Sequence, residues 1–416
     1  MRIRTILALS AAFFLFGGLA IGGFVLEQKR GTETSVRWVS DTARSVAGNH
    51  HAPAVGTIDG QPFVYAPVSG DTDTDGCALI ALNGTTGDRD WDHSIPAPHC
   101  TIHSVADPTV ADYDSDSDRE VLVATTEDRL TAHDPRSGVV EFAYDLTSYG
   151  YTKPLVRDIT GDERPEILVV DVNGTVAVAR ADGTTVWRRH LDSAVWAQPS
   201  VADFDGNGRL ETAVATGGSR ELHLFGHDGT PVWSSPVTFE SSIAWMAKGQ
   251  ATEDAAREIV VATANGGRVA AVDGTGTRLW ERDLGSFAAV HAVVDGDDDG
   301  TAEVYAVTDT GTLSSLTATN GTTEWQTKLT TADVQMMPPP AAGDVDGDGS
   351  LELVAPTNDG LVALVDPTSG DIVSTYERNA PVFTHPTLAD VDGDGDVEAF
   401  VMYGRGRVVA LDFERV

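Results

Sequence analysis

The chain is short of cysteine, of lysine and of long helical patterns. Its two cysteines, Cys77 and Cys100, lie close together near the N-terminal end. That number excludes a disulfide-dense scaffold. It permits one disulfide if the domain lies outside the cell; otherwise the two are unrelated small side chains. Lysine is confined to Lys29, Lys153, Lys248 and Lys328, within 28 basic residues set against 63 acidic ones. The formal net charge of -35 makes a surface that repels DNA, RNA and anionic lipid headgroups, so nucleic acid is not an expected partner. No extended 3.6-residue periodicity follows residue 26, which argues against a helical domain. No nucleophile elbow, phosphate loop or zinc signature is present.

The N-terminus divides into a basic stretch 1–4, an apolar run 5–26 and a linker 27–33, before a domain at 34–416. Arg2 and Arg4 precede an uncharged run from Thr5 to Leu26, 22 residues long. That length spans a bilayer as a helix and exceeds the about 7–15 residues usual for the core of a cleaved signal peptide. The expectation is an uncleaved signal anchor, single-pass, although Gly18-Leu19-Ala20 also resembles a cleavage site.

From about Val36 the chain repeats. Glu120, Glu166, Glu211, Glu258, Glu303, Glu352 and Glu398 recur at spacings of 46, 45, 47, 45, 49 and 46. Such a period means a solenoid or a propeller. Each unit reads as four short strands: one ending in an acidic loop, a β-branched run such as "EVLVAT" or "EIVVAT", an alternating run such as "GRVAAVD", and a fourth that often carries tryptophan. Second strands begin near Phe63, Val121, Ile167, Thr212, Ile259, Val304, Leu353 and Ala399. Fourth strands centre on Trp91, Phe142, Trp187, Trp233, Trp280, Trp325 and Tyr376. The missing eighth is supplied by Val36–Val39, which pairs with the C-terminal strand and closes a ring without exposed edges. The expected fold is an all-β, eight-bladed β-propeller of four-stranded blades behind one transmembrane helix; seven blades is the alternative.

Two repeat families are resembled over nearly all of 36–416. The acidic loops resemble FG-GAP and VCBS repeats. "ALNGTTGDRDW", from Ala81 to Trp91, resembles the quinoprotein-like (PQQ-like) repeat, with "AHDPRSGVVEF" and "ALVDPTSGDIV" as looser copies. The resemblance implies an architecture more than an activity.

The acidic loops follow Asp-x-Asp-x-Asp/Asn-Gly-x-x-Glu. Calcium takes six to eight oxygens, and alternate residues of a tight loop aim them inward. Four loops fit: Asp203, Asp205, Asn207, Glu211; Asp295, Asp297, Asp299, Glu303; Asp344, Asp346, Asp348, Glu352; and Asp390, Asp392, Asp394, Glu398. A fifth, Asp112, Asp114, Asp116, Glu120, has Ser117 in place of glycine. The loop of Asp158, Thr160, Asp162 and Glu166 is partial. The regions around Gln250 and Asp59 have lost the pattern. Calcium is the expected cofactor, in a structural role, because the clustered carboxylates repel one another without it. Sites of this type suit extracellular calcium levels, so the domain is expected outside the cell membrane. Acid beyond these loops is spread over all repeats and resembles the surfaces of proteins from salt-loving microbes.

Strand order puts the acidic loops on one face. On the other, Trp196, Trp245, Tyr151, His103 and His385 fall at equivalent connections, with His50, His51, Met337 and Phe383. Such a ring binds a sugar, peptide or planar cofactor, or plugs the channel. His93, His99, Cys100 and His103 match no zinc spacing. Asn83, Asn173 and Asn320 head glycosylation sequons that turn chemistry also explains.

The leading expectation is a membrane-anchored, extracellular, calcium-binding propeller acting as a binding or scaffold module for glycan or protein partners, and not an enzyme. The alternative is a secreted propeller enzyme, either a polysaccharide lyase or a quinoprotein-like dehydrogenase. A third reading, an assembly factor resembling the outer-membrane propeller lipoproteins, lacks a lipid-attachment cysteine after the apolar run.

Overall fold

A computed structural model describes residues 31–40, 42, 49–72 and 74–416. The expected anchor at 5–26, the basic stretch 1–4 and most of the linker lie outside the described residues. Among the described residues no helix is long and apolar enough to cross a membrane.

Eight separate four-stranded antiparallel sheets follow one another along the chain. Blade 1 shows the plan: Ala54–Ile58, Gln61–Val68, Ala78–Asn83 and Arg89–Ser94, paired in sequence order. In blade 8 the inner three strands are Thr387–Ala389, Glu398–Tyr403 and Arg407–Arg415, and the outermost is Thr32–Val39 from the other end of the domain. Its register runs from Thr32 opposite Arg415 to Val39 opposite Val409. The expected ring closure is therefore present, with the first strand beginning two residues before the expected domain start.

The second strand of blades 2 to 8 is buried along its whole length, as in Glu120–Thr125 and Glu258–Thr263, and that of blade 1 is buried from Phe63 onward. Sheets of neighbouring blades cover both its faces, which is why these strands read as unbroken β-branched runs and not as alternating ones. The core is correspondingly divided into layers between blades. One layer joins Val64, Ala66 and Leu82 of blade 1 to Phe400, Met402 and Val408 of blade 8, with Trp38 among them. Each fully buried large apolar side chain contributes about 1.5–3 kcal/mol.

Six tryptophans tie blade to blade. The indole N–H groups of Trp38, Trp91, Trp187, Trp233, Trp280 and Trp325 donate to the carbonyls of Gly84, Pro135, His227, Gly274, Ala318 and Pro367, each in the next blade's outer turn. The turn glycine lies flat on the ring: a Cβ on Gly321 would sit 2.5 Å from Trp280. Only glycine allows that approach.

Blade 4 departs from expectation. Its outer strand is Val237–Thr238, and Trp233 lies in the bend before it. Pro231 and Pro236 have no N–H for a ladder; a single bridge from Pro231 to Phe225 is interrupted at Trp233 and pairing resumes at Val237, while the Trp233 contact to the next blade is kept. Blade 1 has no acidic loop because Asp59 and Gly60, at φ 48° and 79°, make a two-residue hairpin turn.

Candidate functional site

Side chains with chemistry to offer gather in two places, the acidic loops between first and second strands and the channel at the centre of the ring.

In each loop the first aspartate fixes the turn. Asp295 Oδ2 accepts the N–H of Gly300 at 3.0 Å, and Asp203, Asp344 and Asp390 do the same for Gly208, Gly349 and Gly395. Gly300 needs a φ of 91° to present that N–H. The closing glutamate has a second task. Its Oε2 accepts the backbone N–H seven residues earlier, in Glu120, Glu166, Glu211, Glu258, Glu303, Glu352 and Glu398 alike. This bond holds the end of the inner strand whether or not the loop keeps its other acids, so the repeat glutamate persists in degenerate loops.

Five loops bring carboxylate oxygens within 4.8 Å of one another. In blade 6 all four expected residues converge: Asp295, Asp297, Asp299 and Glu303. Blade 2 gathers Asp112, Asp114 and Glu120 without Asp116, and blade 4 gathers Asp203, Asp205 and Glu211. Blades 7 and 8 gather their three aspartates, Asp344, Asp346, Asp348 and Asp390, Asp392, Asp394, without Glu352 or Glu398. Burial, the neighbouring aspartates adding to it, pushes Glu120, Glu303, Glu352 and Glu398 up to about 7. Asp203 Oδ1, Asp295 Oδ1 and Glu303 Oε1 are buried and have no hydrogen-bond partner among the described residues. Glu303 is 1% exposed. Buried carboxylate oxygens facing one another without donors fit a hard cation such as calcium, which takes oxygen ligands only.

The degenerate loops carry internal substitutes. In blade 3, Arg180 reaches Asp162 at 2.9 Å and Glu166 at 3.7 Å, while the Thr160 hydroxyl donates to Glu166. In blade 5 the side-chain amide of Gln250 donates to the carbonyls of Thr252 and Ala256, at 3.0 and 3.1 Å, and to that of Asp254. A guanidinium or an amide thus stands where the other loops present only acceptors. Arginines also enter two of the five acidic clusters. Arg37, from the closing strand, contacts Asp392, Glu398 and Asp412. Arg415 contacts Asp346 and Asp348.

At the ring's centre lies a cavity of about 780 Å³. Tyr151, Trp196, Trp245 and His385, expected on this face, line it together with His50, His51 and Phe383. The rings pack on one another: His51 on Tyr151 and His103, and Tyr151 edge-on to Trp196 with centroids 5.1 Å apart. His103 touches these rings from behind without lining the cavity. Met337 is fully buried in the layer next to blade 6, and Met336 lines the cavity in its place. His93 and His99 are held elsewhere, by His133 and by the Thr126 carbonyl. Cys77 and Cys100 form a disulfide, Cα to Cα 5.4 Å.

Sequence reasoning missed Asp107, Lys153, Gln198, Lys248 and His291, which line the same cavity. Asp107 accepts from His51 Nδ1 at 2.8 Å and from the Ala52 N–H at 3.0 Å. Burial opposes its ionisation, but the His51 hydrogen bond, with His51, His385 and Lys153 nearby, holds it below the usual carboxylate range. Burial pushes His50 down to about 4 and His103 to about 3, and lowers His291 and His385. These rings are neutral at physiological pH.

The family model described as outer membrane protein assembly factor BamB matches residues 33–164 and 265–415. A model of the FG-GAP-like repeat matches 158–214. Among solved structures, BamB from Moraxella catarrhalis is similar at 15% identity and a TM-score of 0.59, covering 91% of this chain and 97% of that one. The V. cholerae biofilm matrix protein Bap1 is similar at 13% and 0.63, covering 92% and 91%. The computationally designed Ika8 protein is similar at 14% and 0.62, covering 91% and 99%. At such identities the likeness is one of fold. No curated protein sequence matches the chain.

Proposed function

Because the chain belongs to the family described as outer membrane protein assembly factor BamB, we propose that it is a binding and scaffold module, stiffened by calcium, that offers the mouth of its central channel to a glycan or protein partner. The observation that carries this reading is the cavity walled by Tyr151, Trp196, Trp245 and Phe383. Such a mostly apolar hollow with a few polar groups is how a rigid scaffold holds a ligand. The reading includes an assembly role of the kind named for BamB, because an assembly factor is itself a scaffold.

Calcium supplies charge neutralisation on the opposite face. Asp295, Asp297, Asp299 and Glu303 would hold one ion, supported by the partnerless oxygens of Asp295 and Glu303, and that of Asp203 supports a second in blade 4. The apolar run 5–26 tethers the module to the cell membrane with the propeller outside. The Cys77–Cys100 disulfide supports that side, since such bonds persist in oxidising compartments. The module binds and does not catalyse.

The test is a screen of glycans and envelope proteins against the full chain in detergent, repeated with Trp196→Ala and Trp245→Ala. Ligands captured by the wild type and lost by both variants, with melting temperatures preserved, support the reading. A blank screen, or capture indifferent to both changes, refutes it. Turnover of acidic polysaccharide or of a quinone-linked substrate would move the protein into the enzymes.

A further inference from the structure

The channel wall has the opposite electrical character to the rest of the chain. Against a formal net charge of -35 and only four lysines, two lysines, Lys153 and Lys248, line one cavity. Asp107 is the one carboxylate in that lining, and its oxygens are taken up by His51, by the Ala52 N–H and, at 3.4 Å, by the Gln198 amide. Lys248 donates to the Val201 carbonyl, and Arg157 and Arg257 lie close enough to disfavour its charge further after burial has done so. The Lys153 backbone N–H is bound by Gln198, but no acceptor is paired with its ammonium group among the described residues. The wall thus sets two amines, Lys153 and Lys248, against the single carboxylate of Asp107, and the Lys153 ammonium, with no hydrogen-bonded acceptor of its own, attracts an anion.

Two further features narrow the ligand. Trp196 is 37% exposed and lines the cavity, so it offers an apolar face to a flat ring. His51, in the cavity lining, is 2% exposed, and its buried Nε2 has no partner. His51 gives its Nδ1 proton to Asp107, so when neutral its buried Nε2 holds an unmet lone pair; a hydroxyl that displaces a neighbouring ring would supply the donor, and a carboxylate would not. A ring with a C–H face, hydroxyl donors and a carboxylate combines all three requirements. A neutral sugar gives Lys153 a hydroxyl acceptor but no opposite charge, and an aromatic acid without a hydroxyl leaves His51 without a donor.

We infer that the channel mouth is a site for an acidic sugar, with Lys153 holding the carboxylate, Trp196 the ring face and His51 a hydroxyl. This rests on the binding reading above and specifies its ligand class.

The experiment titrates the full chain, in detergent with calcium, against trigalacturonate and its neutral counterpart galactotriose, followed by calorimetry. The wild type is expected to prefer the acidic trimer by about tenfold. Lys153→Gln should abolish that preference without changing the neutral affinity. Lys153→Arg should keep it, which guards against a folding defect in the first variant. Trp196→Ala should weaken both sugars. Equal affinity for the two sugars in the wild type overturns the assignment, as does an acidic affinity indifferent to Lys153→Gln, which would place the sugar on the calcium face. Binding of neither sugar also overturns it, whereas the binding-module reading falls only if the wider screen is blank too.

Discussion

The indole nitrogen of Trp38 lies 2.8 Å from the carbonyl oxygen of Gly84. Trp38 belongs to the strand that closes blade 8, and Gly84 to the outer turn of blade 1. One side chain therefore joins the two ends of the ring both within a sheet and between sheets. Trp38→Ala is expected to cost about 3–5 kcal/mol by cavity formation and loss of the N–H donor. Trp233→Ala should cost less, because its bend is only partly buried. Denaturant unfolding of the two variants checks the order; equal losses would mean that closure has no special weight.

Calcium dependence should differ between loops. Glu303→Gln is expected to remove one ion from the complement of the five acidic clusters, lowering the melting temperature in calcium far more than in chelator. Titration calorimetry with paired melts reads both. An unchanged ion count would exclude blade 6 as a site.

Gln250 supplies the opposite case. Gln250→Ala strips the donor from three backbone carbonyls and should cost about 1 kcal/mol. The loss should be the same with calcium and with chelator. A loss that disappears in chelator would show that this loop binds metal after all.

Ser117 stands where the other acidic loops have glycine, at a φ of 82°. A non-glycine residue in that region carries about 1 kcal/mol of strain. Ser117→Gly should therefore raise stability by about that amount, and a neutral or negative effect would mean that the serine has a compensating contact.

The channel histidines predict an acid weakness. Burial holds His103 near 3 and His50 near 4 in the folded chain, against about 6.5 unfolded. A depressed histidine stabilises the fold above the unfolded value, and that stability is lost as pH falls from 6.5 towards the folded value. The groups facing His103 are His50, His51 and Tyr151, with Asp107 behind His51. His103→Gln should flatten the fall in melting temperature between about pH 6.5 and 4.5. A slope identical to the wild type would assign the acid sensitivity to other groups.

The sequence alone determined the repeat, the number of blades and the closure by the N-terminal strand. Those features are written in local chemistry: β-branched runs for strands covered on both faces, Asp-Gly turns, and a glutamate recurring every 45 to 49 residues. It also marked the acidic loops, because their spacing is a contiguous pattern, and the aromatic ring of Tyr151, Trp196 and Trp245, because these recur at equivalent connections. Only the tertiary structure decided the channel wall. Asp107, Lys153, Lys248 and His291 come from different blades and meet only when the ring closes, and an isolated lysine carries no periodic signal. The substitutes Arg180 and Gln250, and the entry of Arg37 into the acidic loop of blade 8, were hidden for a related reason. A long side chain reaching across from another strand or folding back into its own loop is fixed by packing geometry, which residue order does not record.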